Sequence, residues 1–210
     1  DAVKAAGGEA LALKADLRSE DDIARCHRAV QETWGAVDVL VNNAAINWTG
    51  NTWEMPTERW DQVYGVNIRG TFLMSKYCVP GMVEKGSGSI INLCSIYGLV
   101  GPDQRIYQRT GQLPRYKPVY YSVTKAGVLG LTRYLATYYA GHNLRVNALT
   151  PGGVFNNHED YFVKNYSAKT ILGRMAKKDE MHGALLFLAS DASSYMTGNN
   201  VVVDGGWTAW

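Results

Sequence analysis

Val37-Asp38-Val39-Leu40-Val41-Asn42-Asn43-Ala44-Ala45 is the stretch on which the fold turns. Four of its first five residues are valine or leucine. A near-continuous apolar run of this length suits a strand of a parallel sheet covered on both faces, because a strand with one wet face alternates. The run stops at two asparagines and two alanines, so polar and small residues stand at the strand's carboxyl end. Downstream the same arrangement recurs. Residues 89–93 read as a strand leading into Cys94 and Ser95, residues 144–149 as one closed by Pro151-Gly152-Gly153, and residues 200–203 as one ending in Asp204-Gly205-Gly206.

Helical patterns lie between these strands. Ser19 reads as an N-cap with Asp22 at the capping-box position, and Ile23, Val30 and Trp34 form an apolar stripe that stops before Gly35. After Pro56, residues 57–83 read as one long helix with Asn67 in its middle, ended by Gly86-Ser87-Gly88. A further helix carries Tyr121 and Lys125, and another covers 178–189. At the start, residues 1–9 read as the end of a helix running into Gly7-Gly8, and residues 10–16 as a short strand. Strands alternating with helices imply a doubly wound, Rossmann-type α/β parallel sheet. Ligands of such sheets bind at the carboxyl ends of the strands, where the asparagine, serine and glycine clusters fall.

The 210 residues are 46% apolar and 19% charged, which suits one globular domain over 1–210. A net charge of +2 gives no reason to invoke nucleic acid or an anionic membrane surface. Cys26, Cys78 and Cys94 are odd in number and widely spaced, which points away from a disulfide framework or zinc site and towards a reducing cytoplasm. No apolar run approaches the ~18 residues of a membrane span. His158 with Glu159 and Asp160 suggests a metal cluster, but adjacent side chains diverge and no partner motif accompanies them, so no metal is expected.

Tyr121-Ser122-Val123-Thr124-Lys125 carries the chemistry. Four apart on a helix, Tyr121 and Lys125 share a face. A nearby ammonium favours phenolate, and so is expected to lower the Tyr121 pKa towards neutrality for proton exchange. Ser95 would supply a hydrogen bond to the oxygen of a reacting alcohol or carbonyl.

With these residues in place, the chain resembles the classical short-chain dehydrogenase/reductase family along nearly its whole length. The resemblance rests on the ordered series Asp16-Leu17, Asn42-Asn43-Ala44-Ala45, Asn67, Ile91 to Ser95, Tyr121 to Lys125, Arg145-Val146-Asn147, Pro151-Gly152 and Asp204-Gly205-Gly206. It implies an oxidoreductase that moves a hydride between NAD or NADP and a secondary alcohol or ketone. It further implies a catalytic set of Asn67, Ser95, Tyr121 and Lys125. Cofactor contacts would come from Asp16, Leu17, Asn43, Ala44, Ala45, Tyr121, Lys125, Pro151, Gly152 and Val154. A homodimer or homotetramer is implied as well.

The chain departs from the family pattern in three places that matter, one being Gly153-Val154-Phe155-Asn156, where the family often has a threonine after Pro-Gly and Asn156 offers the same kind of hydrogen bond. The opening strand, the TGxxxGxG turn and its helix have no counterpart here, so the first strand-helix-strand portion is expected to be missing ahead of Asp1. And 25 residues separate Ser95 from Tyr121, a longer interval than usual. The inserted segment, 102–118, holds Arg105, Arg109, Arg115 and Lys117 against Asp103. This basic loop, with Arg105, reads either as a clamp for a phosphate or carboxylate or as a solvated loop. Ser95, Tyr121, Trp48 and Arg105 are the substrate-contact candidates, and 153–176 the candidate lid. The basic loop and the polar, aromatic mouth suggest a sugar or polyol derivative as substrate. A truncated, catalytically silent paralogue acting as an oligomerisation or binding module is the alternative.

Overall fold

The computed structural model describes residues 2–108, 111 and 115–210. A single helical turn, α1 (Ala2–Ala5), precedes α2 (Glu20–Trp34), β1 (Val39–Asn42), α3 (Thr57–Tyr64) and α4 (Thr71–Lys85). Then follow β2 (Gly88–Leu93), α5 (Val119–Tyr138), β3 (Leu144–Pro151), α6 (Asp160–Ser167), α7 (His182–Ala189) and β4 (Asn200–Val203). The four strands form one sheet in the order β1-β2-β3-β4, and every neighbouring pair is parallel. The expected Rossmann-type arrangement of strands and helices is the observed one.

Burial explains the apolar runs. Ile90 and Ile91 are adjacent on β2 and therefore point to opposite faces, yet both are fully buried at 0% exposure. On one face Ile90 and Val146 pack with Leu40 against Val79 and Met82 of α4 and Leu135 of α5. On the other, Ile91 and Leu149 pack against Leu188 of α7. Between strands, Asn42 donates to Asn92 at 2.8 Å and Asn92 to Thr132 at 3.0 Å, which satisfies polar groups the core would otherwise strand.

Three local expectations are corrected. Residues 10–16 have no regular secondary structure and pair with no strand among the described residues, and Leu11 and Leu13 are exposed. A strand exists only where a second backbone meets its N–H and C=O groups, and among the described residues β1 pairs with β2 alone. The long helix after Pro56 is broken into α3, a π-helical turn at Gly65–Gly70, and α4. Lys178–Met181 is a 3-10 turn leading into α7 rather than its first α-helical turn. The predicted cap holds in part. Ser19 Oγ accepts the Asp22 N–H at 3.2 Å, but the Asp22 carboxylate accepts the Asp16 N–H at 2.9 Å instead of closing the box.

Candidate active site

Because all four strands run parallel, their carboxyl ends share one edge. Asn43 and Ala44 follow β1, Ser95 follows β2, Gly152 follows β3 and Asp204 follows β4. Ser95 thus lies between the asparagine loop and the Pro-Gly turn.

Ser95 is held extended, and its Oγ accepts the Tyr97 N–H at 3.2 Å, starting the 3-10 turn Ile96–Gly98. That turn lies flat on α5. A Cβ at Gly98 would sit 2.7 Å from the backbone carbon of Lys125, so only glycine allows the approach. Cys94 is fixed to the same point, its thiol donating to the Lys125 carbonyl at 3.1 Å, and burial pushes that thiol up. The neighbour of Ser95 is thereby a packed, protonated thiol.

Tyr121 and Lys125 extend from the first turns of α5 towards Ser95. The Lys125 ammonium is buried at 5% exposure, donates to the Leu93 carbonyl at 2.7 Å and lies 5.8 Å from the centre of the Tyr121 ring. Burial brings its pKa down to about 8. Burial raises the Tyr121 phenol above its ordinary value, and a Ser95 hydrogen bond opposes that rise. The expected lowering by Lys125 is therefore corrected: loss of water around the ring outweighs the helping groups, and the ammonium points into the Leu93 carbonyl.

Asn67 lies in the π-turn, buried at 2% exposure. Its Oδ1 accepts the Ile46 N–H at 2.9 Å, and its Nδ2 donates to the Ile46 carbonyl and to Thr124 Oγ1, both at 3.2 Å. One side chain thus joins the loop after β1 to the helix turn beside Lys125. π-turns inside helices often mark functional positions.

The cofactor candidates fall in two groups on either side of this centre. Asp16, Leu17, Ala44 and Ala45 line one groove of about 650 Å³ together with Arg18, Ile46 and Trp48. The Asp16 carboxylate is gripped by the Arg18 guanidinium at 2.6–3.0 Å, which holds its pKa at about 2. Gly152 lies across the sheet edge, where an added Cβ would stand 2.8 Å from Asp204 Cα. Val154 bridges to Ala176, and the neighbouring Gly153 N–H donates to the Tyr166 hydroxyl.

Two substrate-contact candidates lie elsewhere. Arg105 is 86% exposed at its side chain and doubly bonded to Asp103, at 2.8 Å for each contact, while Lys169 pairs with the same carboxylate. Its charge is consumed by a neighbour two residues away, on the outside of the 3-10 turn Gln104–Tyr107. Trp48 lines the groove with Asp16 and Ala44, and Tyr120 donates to its carbonyl at 3.1 Å. Arg109 lies outside the described residues. His158 stacks on Phe162, and among the described residues no group of His, Cys, Asp or Glu converges to hold a metal.

Of the basic-loop residues, Lys117 is the one whose contact with the site sequence reasoning did not foresee. Its ammonium lies 3.8 Å from the centre of the Tyr121 ring and 5.7 Å from that of Tyr97. Lys117 precedes α5, so its four-residue spacing from Tyr121 carried no helical meaning. The signal was present only as a lysine close to the motif.

Comparison with known proteins agrees with the geometry. The family model described as Enoyl-(Acyl carrier protein) reductase matches residues 1–208. A short-chain dehydrogenase of Leptospira borgpetersenii with bound NAD+ superposes with a TM-score of 0.86 at 38% identity, covering 93% of this chain and 74% of that one. The chain belongs to the short-chain dehydrogenase/reductase family.

Two curated members of the family are similar at 36% identity. One is 3-oxoacyl-(acyl-carrier-protein) reductase FabG of Thermotoga maritima, over 91% of this chain and 74% of the relative. The other is 2-dehydro-3-deoxy-D-gluconate 5-dehydrogenase of Escherichia coli, over 99% of this chain and 79% of the relative. This short-chain dehydrogenase/reductase is accordingly an oxidoreductase that transfers a hydride between NAD or NADP and an alcohol or ketone. The residues present fit such a cofactor: the buried Lys125 ammonium has three N–H donors and, among the described residues, one acceptor, the Leu93 carbonyl, which leaves donors for a cofactor hydroxyl. No glycine-rich TGxxxGxG turn for the diphosphate occurs in the sequence. No described helix is long and apolar enough to cross a membrane.

Proposed function

We propose that Tyr121 is the acid/base of the reaction, that Ser95 holds the substrate oxygen, and that Lys125 binds the nicotinamide ribose beside Tyr121. The observation that carries this reading is the convergence of the three on one strand end, with the Lys125 ammonium 5.8 Å from the centre of the Tyr121 ring and Ser95 close enough to hold the phenol's pKa down against burial. In alcohol oxidation the ionised Tyr121 takes the hydroxyl proton while the Ser95 hydroxyl donates to the same oxygen. In carbonyl reduction the phenol returns that proton. When bound, the nicotinamide would supply the hydride acceptor or donor. Asn67 sets the distance between the loop after β1 and α5, and so keeps the groove in register with Tyr121.

Asp16 and Leu17 serve the adenine end in this reading, with Asn43, Ala44 and Ala45 along the groove and Pro151, Gly152 and Val154 beside the nicotinamide. The segment 153–176, with α6 at its centre, acts as the substrate lid, tied down by the Tyr166 ring stacked 4.3 Å from Trp207. A sugar or polyol derivative is the proposed substrate, supported by the sugar-acid name of the Escherichia coli relative. The enzyme works as a homo-oligomer in the cytoplasm; the exposed Tyr134 and Tyr138 of α5 and the free Cys26, Cys78 and Cys94 support this.

The test is Tyr121→Phe. Carbonyl reduction should fall about 10²- to 10⁴-fold, the usual range for removing a general acid, while NADH binding, read by fluorescence titration, persists. Retained turnover would remove Tyr121 from the role.

A further inference from the structure

The inserted loop brings one cation to the reacting tyrosine, and it is not Arg105. Lys117 N–H donates to Gln104 Oε1 at 2.8 Å, and Gln104 Nε2 donates back to the Lys117 carbonyl at 3.0 Å. Gln108 Nε2 donates to the Arg115 carbonyl at 2.7 Å, securing the same limb. Two glutamine side chains thus stand in for a strand and fix the backbone from which Lys117 projects. Its ammonium lies over the faces of Tyr121 and Tyr97, where the rings' negative quadrupoles receive it. Lys117 and Tyr121 are both part-buried rather than fully enclosed. Among the described residues no carboxylate pairs with this ammonium, whereas Arg105 and Lys169 both take Asp103.

We propose that Lys117 is the receptor for a carboxylate on the substrate, which makes the preferred substrate a hydroxy or oxo acid rather than a neutral polyol. The proposal rests on the assignment of Tyr121 as the acid/base. Burial and the neighbouring Lys125 hold the Lys117 pKa at about 8, so an incoming anion relieves a real cost. A carboxylate suits the site better than a phosphate. One compact ammonium supplies a point charge, whereas phosphate binding favours several converging donors or an arginine fork.

The test uses matched pairs that differ only at one terminal carbon: gluconate against glucitol, and galactonate against galactitol, each with NAD and with NADP. The wild type should prefer the acid, and Lys117→Met should reduce the acid-over-alditol ratio of kcat/KM by about 10- to 100-fold, as expected for losing a hydrogen bond to a charged group. Lys117→Arg should restore most of it. An unchanged ratio, including an equal loss on both members, would overturn the proposal and leave Lys117 a tuning group for Tyr121. So would a wild type that favours the alditols. Should no alcohol turn over, the acid/base reading fails first. Calorimetric titration of the wild type with gluconate and glucitol then decides the anion site: tighter gluconate binding, lost in Lys117→Met, supports it, and equal affinities overturn it.

Discussion

At the scale of single residues the site is governed by desolvation. Tyr121 is raised by burial, and Lys117 and Lys125 are both depressed to about 8 by the same cause. Each lysine is charged below its pKa and neutral above it. Carbonyl reduction needs the charged groups and a protonated phenol, so its kcat/KM should decline as pH rises through about 8. A profile flat from pH 7 to 9.5 would contradict the assignment. Asn67 makes a second residue-scale prediction. Asn67→Ala leaves the Ile46 N–H and C=O without their partner and should cost about 1–3 kcal/mol in urea unfolding. Of this layer, the sequence showed the identities of Ser95, Tyr121 and Lys125. It did not show the direction of the Tyr121 shift, because a spacing of four says which groups are near but not how much water they have lost.

At the scale of elements, the joint between the 3-10 turn Ile96–Gly98 and α5 positions the chemistry. Gly98→Ala would place a Cβ 2.7 Å from the Lys125 carbonyl carbon and 2.8 Å from Cys94 Sγ. Both are anchored, so the turn must move. A loss of about 1–3 kcal/mol is expected by urea titration, together with a fall in kcat, because Ser95 starts that turn. The element-scale expectations failed where a partner was needed. Residues 10–16 have the composition of a strand but no neighbour to pair with among the described residues. The helix from Thr57 has continuous periodicity, yet Asn67 bonds outward to Ile46 and Thr124, and the turn opens around it. Arg105 looked like a ligand arm, and the 3-10 turn set it beside Asp103.

For the molecule as a whole, the buried ionisable groups predict a stability maximum on the alkaline side. Lys117 and Lys125 titrate near 8 when folded and near 10.5 when unfolded. Between those values the unfolded chain holds more protons, so stability rises with pH. Tyr97, Tyr107 and Tyr166 have folded pKa values raised above 10 by burial, so above about 10 the unfolded chain loses protons that the folded one keeps, and stability falls. The urea midpoint should therefore be higher at pH 9.5 than at 7.5 and lower again at 11; a monotonic fall from 7.5 would refute it. By itself the sequence determined the alternation of strands and helices, the parallel sheet, and the placing of Asn43, Ser95, Gly152 and Asp204 on one edge, because period and order are carried locally by the backbone. Only the tertiary structure decided that Lys117 faces Tyr121 while Arg105 does not, and that burial outweighs charge at the phenol. Those outcomes depend on what remote segments bring against a side chain, and on the water they remove from it.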